Sequence, residues 1–268
     1  MPVMGAPDLT EAAIADVLAQ TVPVKLLIIG QNLPRDFRSR LEAIAEQDSR
    51  IYGWWHEPAL PSLSATWNRA LQFVWACGGE EAWVLNNDTR TNPCTVQVLS
   101  AVRAAQDALF ITAVGVTKEQ YESTDYTYAL SAPYAEHGGP DFSCFLISRE
   151  GHEKYPFDEG FVPSHCEDCC NHREYMLGGD GHRIFSINLP YYHVGGGANT
   201  LKSMTPEARQ QHEAKISAIS RKHYEDCWGG PVNHERYTIK GDASTAQDGV
   251  TNPELQRAIQ EAEHVPTH

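Results

Sequence analysis

The sequence predicts an α/β chain with a mostly parallel central sheet flanked by helices and a helical C-terminal tail. Three observations carry that expectation. The runs VKLLIIG, EAWVL and ALFITAVG are apolar without alternation, as strands buried on both faces are. Segments with apolar residues at helical spacing separate them with short connections, which favours a right-handed doubly wound sheet. The chain's 268 residues, 41% hydrophobic and 21% charged, suffice for a sizeable core.

Each element follows in order. A lead helix is expected over Leu9–Ala19, capped by Asp8 or Thr10. VKLLIIG (Val24–Gly30) is the first buried strand; QNLPRDF turns, and FRSRLEAIAEQ reads as a helix. SRIYGWW suits a second strand. SLSATWNRALQFVWACGG places Trp67, Ala70, Leu71, Val74 and Trp75 on one helical face, with Ser62 or Ser64 as cap and Gly78-Gly79 as stop. EAWVLNND is a strand turning polar at its end, Pro93 opens the helix PCTVQVLSAVRAAQ, and ALFITAVG is again a strand. After the polar, aromatic stretch STDYTYALSAPYAEHGGP, DFSCFLISRE alternates like a strand, PSHCEDCCNHREYMLGG reads as a helix, and HRIFSINLPYYHVGGG as a strand ending in a histidine and glycines. TPEARQQHEAKISAISRKHYEDC is a polar helix, and GDASTAQDGVTNPELQ reads as a loosely held tail. The expected organisation is a lead helix over 1–21, a main domain over 22–203 and a helix with tail over 204–268.

A net charge of −14 gives no broad attraction to phosphate backbones or anionic membranes. No apolar run reaches the roughly 18–20 residues of a spanning helix. The opening MPVMGAPDLTEAAIADVLAQ has acidic residues where a signal peptide has basic ones, so a cytoplasmic protein is expected. Seven scattered cysteines, an odd number, favour reduced thiols.

Several clusters carry chemistry. In open α/β sheets ligands bind beyond the carboxyl ends of strands, which points to Gly30-Gln31-Asn32 and Asn86-Asn87-Asp88. Asp88 with its amide neighbours suits a hard cation carrying a diphosphate; the alternative is an Asx turn before Pro93. Cys166 and Cys169 have the spacing of a zinc knuckle, with Cys170, His165 and His172 nearby, but no second pair completes the site. On a helix, positions 166, 169, 170, 173 and 177 form one stripe, which favours core filling. Asp168 lies off that stripe near the helix N-terminus. Glu167 beside it raises the pair's proton affinity, as a general base requires, although acids in a first turn also serve as caps. His193 ends a strand and is a candidate metal ligand, although a lone His is more often a surface or core residue, and Gly195 to Gly197 either allow close backbone approach to a ligand or form a flexible loop with no role.

In this order, the GQN turn, SATWNRAL, VLNNDT, GGPDFSCFLISRE, YPFDEGFVPSHCEDCCNHREYMLGG and YYHVGGG resemble the family 2 type of GT-A glycosyltransferase. The resemblance covers about Val24 to Asn199, and its strongest piece is FDEGF followed by Glu167-Asp168. It implies a GT-A fold and transfer of a sugar from a nucleoside-diphosphate sugar, a UDP-sugar foremost, with Mn²⁺ or Mg²⁺ and inversion at the anomeric carbon. It implies that Asp88 and His193 hold the metal, that Asn86 stands where the first Asp of a DxD motif usually is, and that Asp168 is the general base supported by Glu167. Gly30, Gln31, Asn32, Asn68 and Asn87 fall with the donor nucleotide, and Gly139 and Asp141 border the donor sugar and acceptor. Asn86 removes one charge from the usual metal site, and SRIYGWWHEP lacks the Asp that often reads uracil. HYEDCWGGPVNHERYTIK resembles the tail of phage-encoded glycosyltransferases, which implies a glycan or a hydroxymethylated DNA base as acceptor. Two alternatives stand beside this: a nucleotidyltransferase with Arg35 or Arg38 on a triphosphate, and a non-catalytic zinc module built on His165, Cys166, Cys169 and Cys170.

Overall fold

A computed structural model of the chain describes residues 1–124, 141–196, 199–202 and 204–247. A short strand β1 (Pro2–Val3) leads into α1 (Pro7–Leu18), then β2 (Leu26–Gln31), α2 (Arg35–Gln47), β3 (Ile51–His56) and α3 (Leu63–Ala76). Next come β4 (Glu81–Leu85), β5 (Thr89–Arg90), α4 (Thr95–Gln106), β6 (Phe110–Val116) and α5 (Lys118–Ser123). β7 (Cys144–Ser148), α6 (Arg149–Lys154), α7 (Glu167–Leu177) and β8 (Ile184–His193) follow. The described chain ends with α8 (Asn199–Lys202) and α9 (Pro206–Lys215), which passes through a π-helical turn (Ile216–Arg221) into α10 (Lys222–Trp228).

The expected buried strands form, in two sheets. The first has the order β1-β2-β3, all parallel, with Leu26 opposite Ile51 and Gln31 opposite His56. The second has the order β4-β7-β6-β8-β5. Only β6 and β8 run parallel there; β7 pairs antiparallel with both neighbours, and β5 pairs antiparallel with β8. The antiparallel pairs follow from β7 and β5, short strands that the apolar pattern alone does not orient. A largely apolar cavity of about 500 Å³ is lined by residues from both sheets, among them Leu27 and Tyr52 of the first and Ala82, Trp83 and Val84 of the second.

The lead segment is not separate from the main domain. Val3, Ala13, Ile14 and Val17 are buried in one cluster with Ile28, Leu41, Leu85 and Leu99. Its helix starts at Pro7, and neither Asp8 nor Thr10 caps it: Ala6 occupies the cap in a left-handed conformation, and the Thr10 hydroxyl donates to the Gly5 and Ala6 carbonyls. Ser62, of the two serines expected, caps α3 by accepting from the Ala65 amide at 3.1 Å. The helix after Pro93 begins two residues later, at Thr95.

The C-terminal segment is docked as far as Gly241, whose amide donates to the Cys227 carbonyl at 2.7 Å. Tyr224, Cys227 and Trp228 pack into a cluster with Phe161, Cys166 and Cys170, and Lys240 pairs with Asp158 and Glu174. The cysteine stripe is therefore core filling: Cys170 is fully buried, Cys166 nearly so, and all seven cysteines are free thiols. Burial pushes the Cys166 thiol up to about 11. Arg173 shares the stripe, stacked over Trp228 with 4.9 Å to the ring centroid.

Candidate active site

Three strand ends and three further segments surround a cleft of about 320 Å³. Gln31 ends β2, Asn86-Asn87-Asp88 follow β4, and His193 ends β8, so the cleft lies at the carboxyl edge of the strands. Its other walls come from the turn before α3, from Ser164 and His165 before α7, and from His212 and Ile216 of the C-terminal helix.

Asp88 is the centre of this site. It is buried, Oδ1 lies 2.9 Å from His193 Nε2, and Oδ2 accepts from Asn199 Nδ2 at 2.9 Å. Burial works to raise its pKa, but the hydrogen bonds and charge interaction with His193, with the bond from Asn199, outweigh burial and hold the carboxyl below its ordinary value. Asn199 did not emerge from the sequence. Its side chain also donates to the Val194 carbonyl at 2.7 Å, so it ties the chain after β8 back onto the Asp88 carboxylate.

The site's donors are one carboxylate, one imidazole and the nearby Asn86 amide. Oxygen with a single imidazole suits Mn²⁺ or Mg²⁺, and so small a set leaves positions for phosphate oxygens and water. The residues present therefore fit a divalent ion held by Asp88 and His193.

The other expected residues divide by what their side chains touch. Gln31 lines the cleft, but its amide is spent on the Thr66 hydroxyl (3.2 Å) and the Leu60 amide (2.7 Å), so it shapes the wall. Gly30 is closed in: an added Cβ would lie 2.6 Å from both Leu33 Cδ1 and Trp55 Cε3. Asn32 is exposed and outside the cleft wall, with φ of 47°. Asn87 donates to the Gly5 carbonyl (2.9 Å) and Thr10 hydroxyl (2.8 Å), fastening α1 beside the site.

Asn68 departs furthest from its expected place. All four of its hydrogen-bonding positions are taken: Nδ2 donates to the Phe157 carbonyl (2.7 Å) and Glu159 (3.0 Å), and Oδ1 meets the Phe157 amide (3.1 Å) and His152 Nε2 (3.0 Å). It holds the FDEGF loop to α3 and does not line the cleft. Asp141 accepts from the Ser143 amide at 2.9 Å and from the Tyr191 hydroxyl, beside Gly115 at the end of β6. Gly139 and Gly197 lie outside the described residues.

Glu167 and Asp168 open α7, two residues beyond the cleft-lining His165, and neither lines the cleft itself. Asp168 is half-buried, and its Oδ1 accepts from the Cys169 amide at 2.8 Å. Glu167 is 6% exposed; burial first, then the Asp168 charge, pushes its carboxyl up to about 7. The residues proposed for a zinc module do not converge: His165, Cys166, Cys169 and Cys170 form no metal-ligating group among the described residues. Arg35 and Arg38 stand outside the cleft wall, and Arg38 pairs with Glu42 at 2.8 Å.

The architecture is the GT-A glycosyltransferase fold. Among solved structures it is similar to the mannosyltransferase PcManGT of Pyrobaculum calidifontis, in complex with GDP-Man and Mn²⁺ (TM-score 0.56, 15% identity, 81% of this chain and 61% of that one). It is similar to S. aureus TarS 1-349 (TM-score 0.55, 11% identity, 84% and 70%). It also matches glucosyl-3-phosphoglycerate synthase of Mycobacterium tuberculosis (TM-score 0.53, 16% identity, 81% and 77%). The chain spans 61% of the length of the mannosyltransferase and 42% of a longer TarS chain. No protein-family model and no curated protein sequence matches it. No described helix is long and apolar enough to cross a membrane.

Proposed function

We propose that the protein is a metal-dependent inverting glycosyltransferase that moves a sugar from a nucleoside-diphosphate sugar, a UDP-sugar foremost, to an acceptor hydroxyl. The observation that carries this reading is the Asp88–His193 pair in a cleft at the carboxyl edge of a GT-A sheet. Mn²⁺ or Mg²⁺ held by Asp88 and His193 would supply neutralisation of the departing diphosphate. Asp88 and Asn199 orient that end of the donor, and Asn86 adds an amide contact. We assign Asp168, three residues beyond the cleft-lining His165, to take the proton of the acceptor hydroxyl as it attacks the anomeric carbon, with Glu167 supporting it. Asp141 borders the donor sugar. The acceptor we favour is a glycan: the charge of −14 disfavours a DNA base.

The nucleotidyltransferase reading loses support because the cleft's described lining includes neither Lys nor Arg to meet a triphosphate. A thermal-shift screen with UDP, GDP, CDP, dTDP and ADP, with and without Mn²⁺, tests the donor site. One diphosphate should raise Tm only with metal, and Asp88→Asn should remove that shift. Asp168→Asn should abolish transfer while leaving the shift intact. No shift with any diphosphate in the wild-type protein would refute the reading.

A further inference from the structure

Away from the cleft, three side chains from two segments converge on one point. His223 Nε2 lies 2.9 Å from Asp158 Oδ2 and 3.7 Å from Cys227 Sγ, and that sulfur is 4.0 Å from the same Asp158 oxygen. All three ligand atoms thus fall within 4.8 Å of one another. At ordinary zinc–oxygen, zinc–nitrogen and zinc–sulfur distances, the edges of a tetrahedral site run about 3.3–3.7 Å, close to this spacing. The arrangement follows from the sequence: His223 and Cys227 stand one turn apart on α10, and Asp158 belongs to the FDEGF loop. The second Asp158 oxygen accepts from the Gly160 amide at 2.8 Å, which fixes the carboxylate.

We propose that Asp158, His223 and Cys227 form a second, zinc-class metal site that clamps the C-terminal helix to the FDEGF loop, with water completing the coordination. Charge supports it. Asp158 and Glu174 flank the single ammonium of Lys240 at 2.7 and 2.6 Å, so these three groups carry one excess negative charge. A divalent ion entering as the Cys227 S–H bond breaks, its proton passing to solvent, brings the group to neutrality with no change in oxidation state. Lys240 is the rival cation for Asp158 and retains Glu174 when the metal takes its place.

The clamp has a mechanical target. Ser220, on the same continuous helix, donates to the carbonyls of Val162 (3.1 Å) and Ser164 (2.7 Å), and Ser164 and His165 line the cleft. Bracing this helix therefore braces one wall of the candidate active site.

Titration of the chelator-treated full chain with Co²⁺ tests the site, because thiolate ligation produces a near-ultraviolet charge-transfer band. One equivalent should develop the band, and Zn²⁺ should abolish it by displacement. Cys227→Ser should lose it, His223→Ala should weaken cobalt affinity at least about tenfold, and Lys240→Met should tighten it. The double variant Cys166→Ser/Cys169→Ser should keep the band. Absence of the band in both the wild type and Lys240→Met, each folded by circular dichroism, overturns the proposal. So does a band that survives Cys227→Ser but disappears in the double variant.

Discussion

Glu167 has one carboxylate oxygen, Oε2, with no hydrogen-bond partner among the described residues, while Asp168 next to it is half-buried and bonded to the Cys169 amide. The difference arises because adjacent helical positions point about 100° apart, so one residue turns into the packed interior and the next turns away. Burial and the Asp168 charge raise the Glu167 pKa from 4.5 to about 7. Between those values the folded state binds more protons than the unfolded state, so stability falls as pH rises through the window. Below pH 4.5 the residue is protonated in both states and costs nothing; above about pH 7 the cost is complete, up to about 3 kcal/mol. Glu167→Gln should therefore have a higher Tm than wild type at pH 8 and nearly the same Tm at pH 4, read by thermal denaturation. Equal Tm at both pH values would show that the carboxyl is not destabilised by burial. The sequence located this pair, because two acids before a buried cysteine stripe mark a helix start. It did not say which acid is buried, because that depends on elements packed against α7 from elsewhere in the chain.

At the scale of elements, Asn68 joins α3 to segments 84, 89 and 91 residues further along. Trp75 Nε1 donates to His152 Nδ1 at 2.9 Å, so the proton of the neutral imidazole is on Nε2 and is donated to Asn68 Oδ1. The chain Trp75–His152–Asn68–Phe157 fixes α3, α6 and the FDEGF loop together. Asn68→Ala leaves the buried His152 Nε2–H and the Phe157 amide without partners, which should cost about 2–4 kcal/mol in urea denaturation. Nucleoside-diphosphate affinity, measured at a temperature where the variant is folded, should be unchanged. A large loss of affinity with stability intact would instead return Asn68 to the donor site. Helix and strand positions were legible here, since Ser62 caps α3 as its spacing suggests and the apolar runs form strands. The Asn68 role was not, because a buried polar residue is understood only through partners that the fold brings to it. The same holds for Asn199 on Asp88, a tie across 111 residues.

On the scale of the whole molecule, two buried titratable groups, His152 and Glu167, oppose each other as pH changes. Burial lowers the His152 pKa from 6.5 to about 4. The unfolded state therefore binds more protons within that window, and the contribution of neutral His152 is complete above pH 6.5 and lost as pH falls toward 4. Glu167 acts in the other direction from pH 4.5 to about 7. Their windows overlap between pH 4.5 and 6.5, where one group's gain offsets the other's cost, so these two contributions leave the wild-type Tm flat. The groups share no hydrogen-bond partner: His152 meets Trp75 and Asn68, whereas the Glu167 carboxyl is shifted by burial and by the neighbouring Asp168 charge. Their effects should accordingly add, as those of independent sites do. Glu167→Gln should uncover a Tm that climbs from pH 4 to 6.5. His152→Gln should uncover a Tm that falls from pH 4.5 to 7, below that of wild type wherever the imidazole's hydrogen bonds are missed. Melting curves of the three proteins at half-unit pH intervals would separate the slopes. Parallel profiles would mean that other carboxylates of this acidic chain control its acid stability.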